Sequence, residues 1–279
     1  MSLQKFHIAG VMGWPVMHSR SPRLHNHWLA HYGLHGAYLP LAIEPGRLEA
    51  ALRALPALNF SGCNVTIPHK EEVVRIVDRV DAAAQRIGAA NCVVVQPDRS
   101  LTGYNFDAYG FIAALREGAP GWRAQSGPAV VIGAGGGARA IVFGLIEAGA
   151  PEIRLVNRRL ERAQALAEDF GSPVSAHPWD ARAATLEGAA LLVNSTSGGM
   201  TGQPPLDLPL GGLPRTAVVC DIVYAPLETR LLAEARARGN PAIDGLGMLI
   251  HQARPAFREW FGILPEVTPA VRRMMEATL

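Results

Sequence analysis

The sequence predicts an α/β protein of two domains: an N-terminal α/β domain on a mostly parallel sheet, and a Rossmann-type dinucleotide-binding domain. C-terminal helices are expected to return to the first domain. Three observations predict this. Short apolar strands alternate with helical patterns along most of the chain, the order that gives parallel sheets covered by helices. A glycine turn, Gly133-Ala134-Gly135-Gly136-Gly137-Ala138, follows an apolar run and opens a helix, the context that makes such a turn informative. Two helical patterns at the end of the chain are more than a doubly wound domain needs as cover.

The elements read in order. HIAGVMG (7–13) is a strand and AYLPLAI (37–43) a second. Between them Ser21-Pro22 opens a helix to about His35, since a Ser cap followed by Pro is a strong start signal. A strand over 59–67 ends at Pro68, and a helical stretch from His69 toward Ile87 breaks near Val80-Asp81. Strands at 91–96 and 101–106 follow, then a helix over 107–118 and a connector over 119–128. Residues 129–150 give a buried strand, the glycine turn and a helix ended by Gly149. A strand over 152–159 enters a helix over 160–170, and strands at 173–177, 190–194 and 217–221 continue the series. Helices over 245–262 and 265–279 form the tail. The expected division is 1–105, completed by 245–279, and 106–244.

Composition narrows the class. A length of 279 residues, 49% hydrophobic and 18% charged, suits a globular protein of one large or two modest domains. The net charge of +2 comes without a Lys/Arg block, which argues against a nucleic-acid surface. Cys63, Cys92 and Cys220 are scattered and odd in number, so no disulfide framework is expected and a reducing compartment fits. No charged leader with an apolar run opens the chain, and no segment reaches the roughly 18 apolar residues of a membrane span. The expectation is a cytoplasmic protein that binds no membrane, with monomer and homodimer both left open.

The glycine turn carries the first piece of chemistry. Gly133 permits a tight turn, Gly135 admits a pyrophosphate to the backbone, and Ala138 keeps helix and strand close. At the end of the next strand, where NAD-binding proteins place an acidic residue, stand Asn157-Arg158-Arg159, with Arg162 one turn on. An arginine fork matches a 2′-phosphate, so NADP is the expected cofactor. A second anion site is possible where His18-Ser19-Arg20-Ser21-Pro22 meets a helix N-terminus. Polar clusters at 64–70, 88–91 and 103–107 adjoin strand ends, where open α/β sheets bind ligands. Read singly, Ser21 and Asp107 also suit helix caps, Asn91 a turn and Lys70 a first-turn surface lysine. His27, His31 and His35 share a helical spacing, but lack an acidic partner, and no metal is expected. Trp122 and Trp260 read as packing residues.

Taken together, HSRSPRLHN, NVTIPHKE, GAANCV, GYNFDAYG, GAGGGARA, NRR, NSTSGGM, DIVYAPLET and GLGMLIHQA resemble the shikimate dehydrogenase family in order and spacing along essentially the whole chain. The resemblance implies NADP-dependent, reversible reduction of 3-dehydroshikimate to shikimate, within aromatic amino acid and chorismate biosynthesis. It implies that Lys70 and Asp107 are the catalytic pair. Ser19 and Ser21 would hold the substrate carboxylate with Tyr224, and Asn64, Thr66, Asn91 and Gln252 would line the ring hydroxyls. Gly133, Gly135, Gly136, Gly137 and Ala138 would cradle the pyrophosphate, with Asn157, Arg158 and Arg159 at the adenosine end. Gly245 and Met248 would lie on the nicotinamide side. Phe106 stands where the family usually has Thr, and Arg159 replaces another Thr. The alternatives are a quinate/shikimate dehydrogenase, or a relative with broadened substrate or NAD use. A non-catalytic nucleotide sensor is a third, which the presence of Lys70 and Asp107 disfavours.

Overall fold

The computed structural model describes residues 6–279; the first residues of the stretch read for a leader lie outside them. Its contacts separate two units: one runs to Asp107 and adds Leu249–Thr278, and the other holds Ala108–Met248. The expected α/β class is present in both.

In chain order the first unit contains β1 (His7–Gly13), α1 (Ser21–His31), β2 (Gly36–Ala42), α2 (Leu48–Ala54), β3 (Gly62–Val65), α3 (Lys70–Ile76), β4 (Arg79–Val80), α4 (Ala82–Ile87), β5 (Cys92–Val95) and β6 (Leu101–Tyr104). Its sheet order is β2-β1-β3-β5-β6-β4. Strand β1 pairs in parallel with β2 and β3, and β4 with β6, whereas β5 runs antiparallel to both neighbours. The reversal is local in origin. Only residues 96–100 connect β5 to β6, with Gln96 N donating to Ser100 O at 2.8 Å, and a parallel pair needs a far longer crossover. Two reversals restore direction, so β3 and β6 end at the sheet edge where β5 begins.

The start and end of α1 and the length of β3 depart from the sequence reading, whereas the break near Val80-Asp81 is present. Helix α1 starts with Arg20, not Ser21, in the cap position, and Ser21 N donates to Ser19 Oγ at 3.3 Å. It stops at His31, with Gly33 in the left-handed region, so His35 lies beyond it. Strand β3 is shorter than expected, since Asn59 also turns left-handed. Strand β4 interrupts the 69–87 stretch; Asp81 then caps α4 by accepting from Ala83 N and Ala84 N.

The edge strand β2 is blunted. Asn26 on α1 donates to Tyr38 O at 2.9 Å and accepts from Tyr38 N at 2.8 Å, and Pro40 has no N–H to offer.

Helix α5 (Asp107–Gly118) leads into the second unit, which holds β7 (Ala129–Ile132), α6 (Gly136–Glu147), β8 (Ile153–Val156), α7 (Leu160–Phe170), β9 (Val174–His177), β10 (Leu191–Asn194), β11 (Val218–Asp221), α8 (Arg230–Ala237) and β12 (Ala242–Ile243). Its sheet is parallel throughout, in the order β12-β11-β10-β7-β8-β9, with apolar clusters on both faces. Both faces being covered explains why β7 and β10 read as continuous apolar runs. Helix α8 and strand β12 extend the series beyond the strands expected from sequence. Trp122 packs against the cluster containing Phe111 and Leu145.

Helices α9 (Leu246–Phe261) and α10 (Pro269–Glu276) form the tail, and from Leu249 it belongs to the first unit. Trp260 is the anchor. Its Nε1 donates to Val93 O at 3.0 Å. It packs so closely on Gly62 that a Cβ there would lie 2.4 Å from Nε1. Among the described residues no helix is long and apolar enough to cross a membrane. No group of three or more His, Cys, Asp and Glu is placed to hold a metal among them.

Candidate active site

The strand directions bring the polar clusters of the first unit to one edge. Lys70 opens α3 just beyond β3, Asp107 opens α5 just beyond β6, and Asn91 immediately precedes the reversed β5. His69, buried, fixes the start of α3 through a 2.7 Å hydrogen bond between Nε2 and Ile43 O. Asn105 caps α5: its Oδ1 accepts from Asp107 N at 3.0 Å, and its Nδ2 donates to Ala89 O at 2.8 Å.

The side chains form one connected set. Lys70 Nζ donates to Asp107 Oδ2 at 2.6 Å, with Asp107 buried and the lysine side chain 19% exposed. Asp107 Oδ1 accepts from Asn91 Nδ2 at 2.7 Å. The same Asn91 amide donates to Gln252 Oε1 at 3.2 Å, and its Oδ1 accepts from Phe106 N at 2.8 Å. Asn64 Nδ2 donates to Asn91 O at 3.0 Å. Thr66 is half-buried beyond β3, its methyl against Gly13, where a Cβ would come within 2.4 Å.

One member of this set was not singled out from sequence. Tyr38, buried on β2, donates to Asn64 Oδ1 at 2.6 Å and hydrogen-bonds the Ser21 side chain. A buried tyrosine needs a partner for its hydroxyl, but its strand reads only as an apolar run. Burial raises the Tyr38 pKa further above its ordinary value, so the hydroxyl stays protonated. Its ring stacks on His25 at 4.2 Å, within a box that includes Trp28, Phe257 and Trp260. Ser19, Ser21, Asn64, Asn91, Asp107, Lys70 and Gln252 thus share one neighbourhood.

The second unit holds a cavity of about 630 Å³ lined by Gly133, Ala134, Gly135, Asn157, Arg158, Arg159, Arg162, Ser195, Thr196 and Ser197. Gly133 is required twice over: its φ is +114°, and a Cβ would lie 2.5 Å from Ser195 Oγ. Gly135 faces open space, with nothing within 4 Å of a Cβ. It sits in the cap position of α6 with no side-chain cap, so the N–H groups of the first turn can meet an anion. Gly136 and Gly137 open the helix, and Ala138 is fully buried beneath it. Asn157 Nδ2 donates to Arg159 O at 2.8 Å, shaping the turn that carries the arginines. Ser195, Thr196 and Ser197, within the NSTSGGM motif, also form the wall; serines and threonines after a strand do not by themselves indicate a cavity.

Three residues are placed elsewhere in that unit. Gly245 packs on backbone, a Cβ there falling 2.1 Å from Ile222 O. Met248 packs against the apolar cluster under the sheet, and Tyr224 is half-buried just past β11.

An open helix N-terminus beside three guanidinium groups fits a dinucleotide with an additional phosphate, so the second unit is of the dinucleotide-binding class. The first unit contributes an ammonium–carboxylate pair suited to handling a proton during oxidoreduction. Three family descriptions match in sequence: shikimate dehydrogenase substrate binding domain over residues 11–93, shikimate/quinate 5-dehydrogenase over 120–201, and shikimate 5′-dehydrogenase C-terminal domain over 245–277. The NADP(+) shikimate dehydrogenase of Paramagnetospirillum magneticum is 60% identical over 268 residues, covering 96% of this chain and 97% of that one. That of Rhodospirillum rubrum is 57% identical over 272 residues, 96% of each chain. Among solved structures, shikimate 5-dehydrogenase of Thermus thermophilus with NADP(H) and shikimate superposes with a TM-score of 0.86 at 39% identity, covering 98% and 100% of the two chains. Quinate dehydrogenase of Corynebacterium glutamicum with NAD gives 0.89 at 31%, covering 98% of each. The chain belongs to the shikimate dehydrogenase family.

Proposed function

We propose that this chain catalyses the reversible, NADP-dependent reduction of 3-dehydroshikimate to shikimate. The observation that carries the reading is the Lys70–Asp107–Asn91 junction, with its 2.6 and 2.7 Å contacts at one sheet edge. NADPH, when bound, supplies the hydride. Lys70 stabilises the negative charge that develops on the substrate carbonyl oxygen and donates the proton to it. Asp107 holds the ammonium in place and accepts a hydrogen bond from a neighbouring ring hydroxyl. Asn64, Thr66, Asn91 and Gln252 orient the ring hydroxyls, and Ser19 and Ser21 take the carboxylate. In the second unit Gly133–Ala138 receive the pyrophosphate, and Arg158 and Arg159, with Arg162, take the 2′-phosphate.

A second reading, use of quinate, is favoured by Phe106, whose ring stacks on Tyr104 at 5.6 Å and whose N–H is held by Asn91. Absorbance assays pairing shikimate or quinate with NADP⁺ or NAD⁺ separate the two. The highest kcat/KM is expected for shikimate with NADP⁺. Turnover of quinate alone would replace the first reading with the second, and no turnover of either would overturn both.

A further inference from the structure

We propose that Asp221 is a positioning residue for the nucleotide cavity, orienting the Asn194 amide and, through it, the 195–198 loop that forms one wall. This rests on reading that cavity as the cofactor site. Asp221 ends β11, is fully buried, and is not among the lining residues.

Hydrogen-bond polarity carries the argument. An ionised carboxylate only accepts. Asp221 Oδ1 accepts from Asn194 Nδ2 at 2.9 Å and Val223 N at 3.0 Å, and Oδ2 accepts from Thr229 Oγ1 at 2.7 Å. The Asn194 amide then has one workable orientation. Its NH₂ faces Asp221 and the Gly198 carbonyl, the latter at 3.1 Å, and its oxygen faces the loop. That oxygen accepts from Thr196 N at 3.0 Å and Thr196 Oγ1 at 2.7 Å. With its proton so committed, Thr196 Oγ1 accepts from Gly198 N at 3.0 Å. One buried carboxylate thereby sets the direction of every bond out to Thr196, a cavity wall.

The same carboxylate links the wall to pH. Burial pushes its pKa up to about 6, against the hydrogen bonds from Thr229, Val223 and Asn194. Those three partners are neutral. The adjacent Cys220 thiol, pushed up by burial and then by Asp221 and Asp244, stays protonated. A protonated Asp221 keeps its three contacts only by donating from Oδ2 to Thr229 Oγ1, which turns the threonine's own proton away from the carboxylate. Arg158, Arg159 and Arg162 are the ionisable residues of the cavity lining. NAD⁺ is the appropriate probe, because a phosphate monoester such as the NADP⁺ 2′-phosphate itself titrates near pH 6.

The test is a set of binding titrations on the whole chain with NAD⁺ and NADP⁺. Asp221→Ala, which leaves the Asn194 amide and Val223 N–H without their acceptor, should weaken both dinucleotides by a similar factor, about five- to twentyfold, since a buried hydrogen-bond network is broken rather than a phosphate contact. Asp221→Asn, whose oxygen can take the Oδ1 contacts and whose NH₂ can donate to Thr229 Oγ1, should recover at least about half of that loss on a logarithmic scale; if the alanine variant does not fold, it decides the matter through an equal loss of about two- to fivefold for both dinucleotides. Wild-type affinity for NAD⁺ should fall by no more than that residual loss from about pH 7.5 to about pH 5, since the protonated acid can donate to Thr229 as the amide does. Binding by Asp221→Ala within about twofold of wild type, a loss confined to NADP⁺, an Asp221→Asn variant no better than Asp221→Ala, or, where Asp221→Ala does not fold, wild-type binding by Asp221→Asn would each overturn the proposal. A wild type that binds neither dinucleotide would instead overturn the cavity's assignment, and this proposal with it.

Discussion

Lys70 and Asp107 stand 37 positions apart in the chain, yet Nζ and Oδ2 are 2.6 Å apart. They meet because each opens a helix just after a strand, and the strands β3 and β6 run the same way on either side of the reversed β5. Asp107 also accepts from Asn91, so it joins the lysine to the polar set that faces the ring hydroxyls in the proposed mechanism.

Asp107→Asn should therefore affect two parameters. It should lower kcat by about 10²–10⁴, the range for a disturbed proton-transfer group, and raise KM for shikimate through the lost acceptor. Combined with Lys70→Ala, the loss in steady-state kcat/KM should be less than the product of the single losses, because the pair acts as one unit. Full additivity would mean that the two groups work independently.

Arg158→Ala tests the cofactor reading. Its guanidinium lines the cavity at the turn after β8. The variant should lose about 1.5–3 kcal/mol in kcat/KM for NADP⁺ and remain nearly unchanged for NAD⁺. Equal losses for both would show that Arg158 does not read the 2′-phosphate.

Phe106 is half-buried and lies nearly parallel to the Tyr104 ring, their planes 12° apart and centroids 5.6 Å apart, and it is not a core residue. Phe106→Thr should shift the ratio of quinate to shikimate kcat/KM while the thermal midpoint changes little. A large drop in the midpoint with a fixed ratio would assign the ring to packing alone.

His25 gives a pH dependence with a definite sign. Both ring nitrogens are buried without a hydrogen-bond partner, and burial pushes the pKa from 6.5 down to about 3. The folded chain therefore binds fewer protons at this site than the unfolded chain between those values. The contribution to stability is complete above the unfolded value and is lost as pH falls toward 3, by about 1.4 kcal/mol per pH unit at most. His25→Phe keeps an aromatic ring against Tyr38 and should flatten that slope in urea titrations. An unchanged slope would show that another group sets the acid limb.

Much of this was legible in the chain. Helix α5 and strand β1 were located at their observed ends because apolar periodicity and flanking glycines bounded them. The cavity glycines and arginines were legible because they belong to one strand–turn–helix unit of contiguous chain. What was missed depended on long-range pairing. The reversal of β5 was foreshadowed only by the short 96–100 link, while its apolar run looks the same in either direction. Tyr38 looked like strand packing because its partners, Ser21 and Asn64, come from other elements. Asp221 opens the DIVYAPLET motif, but its role is not legible there, since a carboxylate at a strand end reads as exposed until the fold buries it against Asn194 and Thr229.

The most direct measurement is the kcat of Lys70→Ala for shikimate oxidation with NADP⁺, alongside the Kd for NADP⁺. The nucleotide cavity lies wholly in the other unit, so Kd should match wild type. The kcat should fall by about 10²–10⁴ for loss of the group that stabilises and protonates the reacting oxygen. A folded Lys70→Ala chain with near-normal kcat would contradict the assignment of Lys70 and, with it, the mechanism built on the Lys70–Asp107 pair.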